Sequence, residues 1–169
     1  MSKYAKWIGG GLGWAFGGPI GGILGFFFGS VMDGMNGQKQ TYESTQPGDF
    51  TASLIVLTAG IMKADGKVMK SELNYVKAFF VQNFGSAQAV KMLEILQEVL
   101  KKEIDINAVS VQIRQYMDHP ARVQLIHFLY GLALADGHLD SSEEKMIHRI
   151  AQQMNISTAD YNSIKAMFV

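Results

Sequence analysis

Hydrophobic and polar positions divide this chain into two unlike parts. Between Lys6 and Asp33 no charged residue occurs, and apolar residues are interleaved with glycine rather than with polar side chains. From Phe50 onward, apolar residues recur at intervals of three and four among charged and amide residues, the period of an amphipathic α-helix. No alternating β-branched run is long enough for a strand. The pattern predicts seven helices in this second part. The first, about 50–63, carries Leu54, Leu57 and Ile61 on one face. The second, about 70–84, buries Leu73, Val76, Phe79 and Phe80, and the third, about 86–102, turns Val90, Leu93, Leu96, Val99 and Leu100 inward. A short fourth covers about 107–117. The fifth starts near Pro120, a residue favoured in a first helical turn. Its apolar stretch LIHFLYGLALA predicts the central, most buried helix, with His127 packed in the core. The sixth, about 141–154, opens on Asp140 and Glu143, a relative of the capping box. The seventh follows Ser157, with Tyr161, Ile164 and Phe168 inward. Residues 34–49 are polar with Gly and Pro and read as a linker.

The uncharged run of about 26 residues would be about 39 Å long as a helix, enough to cross a ~30 Å hydrocarbon core with tilt. Gly9, Gly13, Gly17, Gly21, Gly25 and Gly29 recur at every fourth position. That spacing lays glycines along one slowly rotating face, where a second helix backbone can approach closely. The expectation is a transmembrane helix that self-associates, making the protein a homo-oligomer. A flexible linker would hold serine rather than Trp14, Phe16, Leu24 and Phe27. A signal peptide would have a shorter apolar core and a small-residue cleavage site. A buried glycine-rich hairpin and a re-entrant bend at Gly18-Pro19 are the other arrangements the residues allow. Lys3 and Lys6 before the run weakly favour a cytoplasmic N-terminus.

Charge and composition narrow the function. The chain has 169 residues, with Lys plus Arg and Asp plus Glu both 15. No basic stripe with interleaved aromatics is present, so nucleic acid is not an expected partner. Without cysteine there is no disulfide framework and no thiolate metal site. No nucleophile elbow, no phosphate-binding glycine loop after a strand, and no EF-hand spacing occurs. His148 lies four residues after Glu144, one too many for the di-iron Glu-x-x-His pattern. The expectation is a non-enzymatic protein.

One pattern is repeated. MKADGKVMKSELNYV at 62–76 aligns with ALADGHLDSSEEKMI at 133–147. A constant 71 residues separates Asp65 from Asp136 and Glu72 from Glu143. Gly66 and Gly137 can adopt positive φ to end the preceding helix, and Val68 and Leu139 are expected to plug the turns into the core. Glu72 and Glu143 belong in first helical turns, where the helix dipole favours an anion. Asp65 and Asp136 follow helix C-termini, where it does not. Either a backbone N–H in the turn or a cation shared with the glutamate would compensate. As ligands, Asp65, Glu72, Asp136 and Glu143 offer only oxygen, which suits Ca²⁺, Mg²⁺ or Mn²⁺. As structural groups, they cap helices in solvated turns.

KADGKVMKSE and LALADGHLDSSEEKMIHRIA, with a final helix ending in MF, resemble the TerB-like, tellurite-resistance-type helical domain. With the leader GGPIGGILG the chain is similar to the N-terminal region of DjlA-type membrane-anchored co-chaperones. The resemblance implies an all-α TerB-like bundle at 50–169 behind a glycine-rich transmembrane helix at 1–33. It implies an acidic metal site at Asp65, Glu72, Asp136 and Glu143, and a stress-response adaptor on a bacterial inner membrane with its helical domain in the cytoplasm. DjlA-type proteins also carry a J domain whose His-Pro-Asp stimulates an Hsp70-type ATPase. Here the His-Pro at His119-Pro120 is followed by Ala121, so the resemblance extends to a regulatory region of such a system and not to J activity in these residues.

Overall fold

The computed structural model describes residues 18–24, 47–64, 66 and 68–168, with side chains described from residue 49 in the second stretch. Eight helices are present among the described residues. They are α1 (Gly18–Leu24), α2 (Pro47–Met62), α3 (Lys70–Phe84), α4 (Ser86–Val99), α5 (Ile106–Tyr116), α6 (His119–Ala133), α7 (Ser141–Gln153) and α8 (Thr158–Ala166). Helix α2 is the axis of the bundle and packs on α1, α4, α5, α6 and α7. Around it, α3 lies on α4 and α6, α7 lies on α5 and α6, and α8 lies on α6.

The all-α class and the seven helices after residue 47 agree with the hydrophobic pattern, but the central helix is α2, not α6. Every residue from 51 to 62 is buried, whereas His119, Pro120, Gln124 and His127 of α6 are exposed. The reason is side-chain size. Ala52, Ser53, Thr58, Ala59 and Gly60 make the faces of α2 between its aliphatic residues thin, so neighbours close on it from all sides. Gly60 shows how near they come: a Cβ there would stand 2.6 Å from Ile106 Cδ1. Helix α2 also begins earlier than expected, at Pro47, inside the stretch that reads as linker. Proline's missing N–H and fixed φ suit a first helical position, and Asp49 in the first turn is wholly buried.

Three inward assignments are corrected. Val90 is 56% exposed, because the buried stripe of α4 runs through Ala89, Met92, Ile95, Leu96 and Val99, and Val90 falls one position off it. His127 is exposed, on an outward stripe with Pro120 and Gln124 at helical spacing. Its ring rests on Phe168 at 4.9 Å between centroids. Val68 is 43% exposed, while the longer Leu139 at the equivalent position packs against the core.

Helix ends are closed by side chains at the expected places. Asp118 accepts from Ala121 N–H at 2.9 Å, and Ser157 from Asp160 N–H at 3.0 Å. Arg122 ties three helices together: its Nε donates to Met117 O at 3.1 Å and its Nη1 to Met154 O. These two carbonyls belong to the C-caps of α5 and α7, where a cation is favoured by the helix dipoles.

The glycine-rich segment enters the described structure only at α1. Gly9, Gly13, Gly17, Gly25 and Gly29 lie outside the described residues; Gly21 is buried on the side of α1 that faces the bundle. Gly18 has φ 66°, and α1 starts there with Pro19 in its first turn. Among the described residues, no helix is long and apolar enough to cross a membrane.

Candidate functional site: the paired acidic turns

The two repeated segments fold alike down to their hydrogen bonds. In the first, Lys63 N–H donates to Ala59 O, Ala64 N–H to Ile61 O and Gly66 N–H to Lys63 O. In the second, Leu134 N–H donates to Tyr130 O, Ala135 N–H to Leu132 O and Gly137 N–H to Leu134 O. Gly66 and Gly137 have φ 81° and 83°, the left-handed conformation in which glycine carries no steric cost. Each turn leads to a new helix whose third residue is the repeated glutamate.

The helix starts differ in which side chain closes them. At α7, Asp140 is the N-cap: its Oδ1 accepts from Ser142 N–H at 2.8 Å and Glu143 N–H at 3.4 Å, and Ser142 Oγ also donates to it. These bonds, the Ser142 hydroxyl first, hold the Asp140 carboxyl below the usual carboxylate range. At α3 the corresponding residue is Met69, which has no capping carboxylate. Glu72 reaches back instead, and its Oε1 accepts from Met69 N–H at 3.1 Å. Ser71, the counterpart of Ser142, has a buried hydroxyl with no hydrogen-bond partner among the described residues.

The three described carboxylates among those singled out by the sequence therefore stand in different environments. Glu72 and Glu143 are 4% and 3% exposed, each at the positive end of its helix. Asp136 is exposed, and its Oδ1 accepts from His138 N–H at 3.0 Å. That bond is the local compensation available to a carboxylate after a helix C-terminus. Asp65 lies outside the described residues. Among the described residues, no group of three or more His, Cys, Asp or Glu could hold a metal ion. Glu72 and Asp136 each have an oxygen engaged by a backbone N–H of their own turn.

A polar cluster that the sequence reading missed lies next to the second turn. Glu144 Oε2 accepts from Tyr130 Oη at 2.9 Å and pairs with Lys165 Nζ at 2.8 Å, joining α6, α7 and α8. Lys165 foremost, then Tyr130, pulls the Glu144 carboxyl below its ordinary range, and Glu144 raises Lys165 in return. Burial, with help from Glu144, pushes the Tyr130 phenol far above its ordinary value. Tyr130 is wholly buried and stacks on Phe168 at 5.7 Å. The signal in the sequence was a lone hydroxyl within the apolar stretch of α6.

Two concave surfaces are separate from the acidic turns. One, of about 750 Å³, lies between α6 and α8 and includes His119, Val123, His127 and Met167. The other, of about 590 Å³, lies between the end of α2 and the start of α5 and includes Lys63, Glu103 and Asp105. Neither is lined by Glu72, Asp136 or Glu143.

A duplicated all-helical module behind a glycine-rich leader is thus the class of protein defined by fold and turns. Comparison with known families names it. Residues 51–166 match the family model described as tellurite resistance protein TerB, and the chain belongs to that family. Residues 1–42 match the model described as the co-chaperone DjlA transmembrane domain. Together the matches support a membrane-anchored TerB-like module. Comparison with curated proteins found no match, and comparison with solved structures found none either.

Proposed function

We propose that this chain is a membrane-tethered, non-enzymatic adaptor that serves a tellurite or other metal-stress response through a protein partner. The observation that carries the reading is the order of the two matches: a transmembrane-domain match at 1–42 is followed at once by the TerB match at 51–166. The leader holds the bundle at a bilayer, with self-association along its glycine face as in other close-packed membrane helices. The helical domain faces the cytoplasm of a bacterium and presents its surface to the partner. Glu72 and Asp136 each accept a backbone N–H of their own turn, which favours a protein partner over a resident cation. Two measurements test this. Membranes carrying the full chain should retain it through carbonate extraction; release into the supernatant refutes the tether. Titration of the full chain in detergent with Ca²⁺, Mg²⁺, Mn²⁺ and Zn²⁺, followed by calorimetry and NMR, should show no saturable binding at the acidic turns. Binding at Glu72, Asp136 and Glu143 that disappears in Asp65→Asn/Asp136→Asn would make the module a divalent-cation sensor instead.

The leader match favours one second reading, a regulatory region that works with a separate J-domain system. Adding the full chain to a J-domain protein and its chaperone should then change the stimulated ATPase rate. An unchanged rate removes this reading.

A further inference from the structure

The stretch matched by the co-chaperone transmembrane domain includes Gly18–Leu24, and the structure gives those residues a seat on the bundle. Helix α1 lies against α5 and α2, with Ile20 and Leu24 completely buried. Gln112 of α5, itself 5% exposed, accepts a hydrogen bond from Ile20 N–H at 2.9 Å. The same amide lies over Gly18, where an added Cβ would stand 3.0 Å from both Gln112 Cδ and Nε2. Gly18 holds φ 66°. A helix crossing a bilayer through this residue needs φ of about −63°. The two placements thus require different backbone conformations at Gly18, and they exclude each other. Ile20 and Leu24 cannot be covered by α2 and α5 and by lipid at the same time.

We propose that the α2/α5 face is a docking surface for Gly18–Leu24 of the chain's own glycine-rich segment, and that membrane insertion of these residues vacates this face. The proposal rests on the membrane-anchor reading. The occupant is specified by three features. A residue without a side chain must sit over Gln112, a free first-turn N–H must meet its buried carbonyl oxygen, and two aliphatic residues four apart must fill the face. Gly18, Ile20 and Leu24 supply all three. Docked, the segment hides anchor residues from water. Inserted, it leaves the α2/α5 face uncovered.

The test is flotation of the full chain with phosphatidylethanolamine–phosphatidylglycerol vesicles. Gly18→Ala strains the positive φ and presses a methyl group onto Gln112, so it opposes docking while leaving the bundle's own residues intact. Gln112→Ala removes the acceptor from the other side. Gly18→Ala should raise the ratio of vesicle-bound to free chain by about fivefold or more, the scale set by left-handed strain in an L-residue, and Gln112→Ala should raise it in the same direction. In nanodiscs, the side-chain amide signals of Gln112 should move away from their lipid-free positions. If Gln112→Ala fails to fold, Gly18→Ala decides alone. Equal flotation of the variants and the unaltered chain overturns the docking equilibrium and leaves the anchor standing. Failure of every form to float overturns both.

Discussion

At the residue scale, the two repeats perform a natural exchange of caps. Met69 and Asp140 occupy the same N-cap position with the same extended backbone, φ −84° and ψ 145° against φ −72° and ψ 134°. Only Asp140 satisfies the serine two residues on. Met69→Asp should therefore stabilise the bundle by about 1 kcal/mol, because it caps α3 and gives the buried Ser71 hydroxyl an acceptor. A melting temperature that stays level or falls would show that Glu72 already does the whole task. The Tyr130–Glu144–Lys165 cluster makes a second prediction. Glu144 has a folded-state pKa below its unfolded value. Its contribution to stability is thus complete above the unfolded value of roughly 4.3 and is lost as pH falls through the folded value. Glu144→Gln should flatten the acid limb of a stability–pH curve, and Tyr130→Phe should cost about 1–2 kcal/mol near neutral pH. An unchanged acid limb would mean that Glu144 is not held by its partners. The glutamate positions and the turn glycines were legible in the sequence because they follow from helix-end chemistry. The bond from Tyr130 to Glu144 was not, since it depends on how α6 meets α7.

At the element scale, the duplication reaches the helix contacts. Gly60 in α2 and Gly131 in α6 are equivalent, and each admits a side chain against the helix backbone. Ile106 lies on Gly60, and Tyr75 lies on Gly131, where an added Cβ would stand 2.2 Å from Tyr75 Oη and 3.0 Å from Cζ. Ile106 presents the end of a flexible chain, which can turn aside. Tyr75 presents a rigid ring that also packs against Phe128 at 5.7 Å. Gly131→Ala should therefore destabilise by about 1–3 kcal/mol in denaturant unfolding, despite alanine's better helix propensity. Gly60→Ala should cost less, as propensity offsets a small shift of Ile106. Equal effects would show that ring rigidity is not the deciding factor. Helix number and approximate bounds were readable from the three-and-four period. The rank order of burial was misread: residues 50–62 of α2 hold no charge, whereas α6 carries His119, Arg122 and His127.

At the scale of the whole molecule, the chain joins a glycine-rich leader to a TerB bundle, and Gly21 belongs to both. If the leader associates through its glycine face, Gly17→Ile/Gly21→Ile should abolish oligomers of the full chain in detergent, as seen by light scattering; persistent oligomers would place the contact elsewhere. Two properties were set by the sequence alone: an all-helical domain built from two copies of one turn, and a leader with an uncharged run between Lys6 and Asp33 whose glycines repeat every fourth residue. Both are local or periodic, so they can be read along a line. The tertiary structure decided that Glu72 and Asp136 bond within their own turns among the described residues, and that α2 is the axis. It also decided that Gln112 receives Ile20 across a separation of 92 residues. These depend on which surfaces come together, and a buried amide or a helix without side-chain bulk has no meaning until its neighbours are in place.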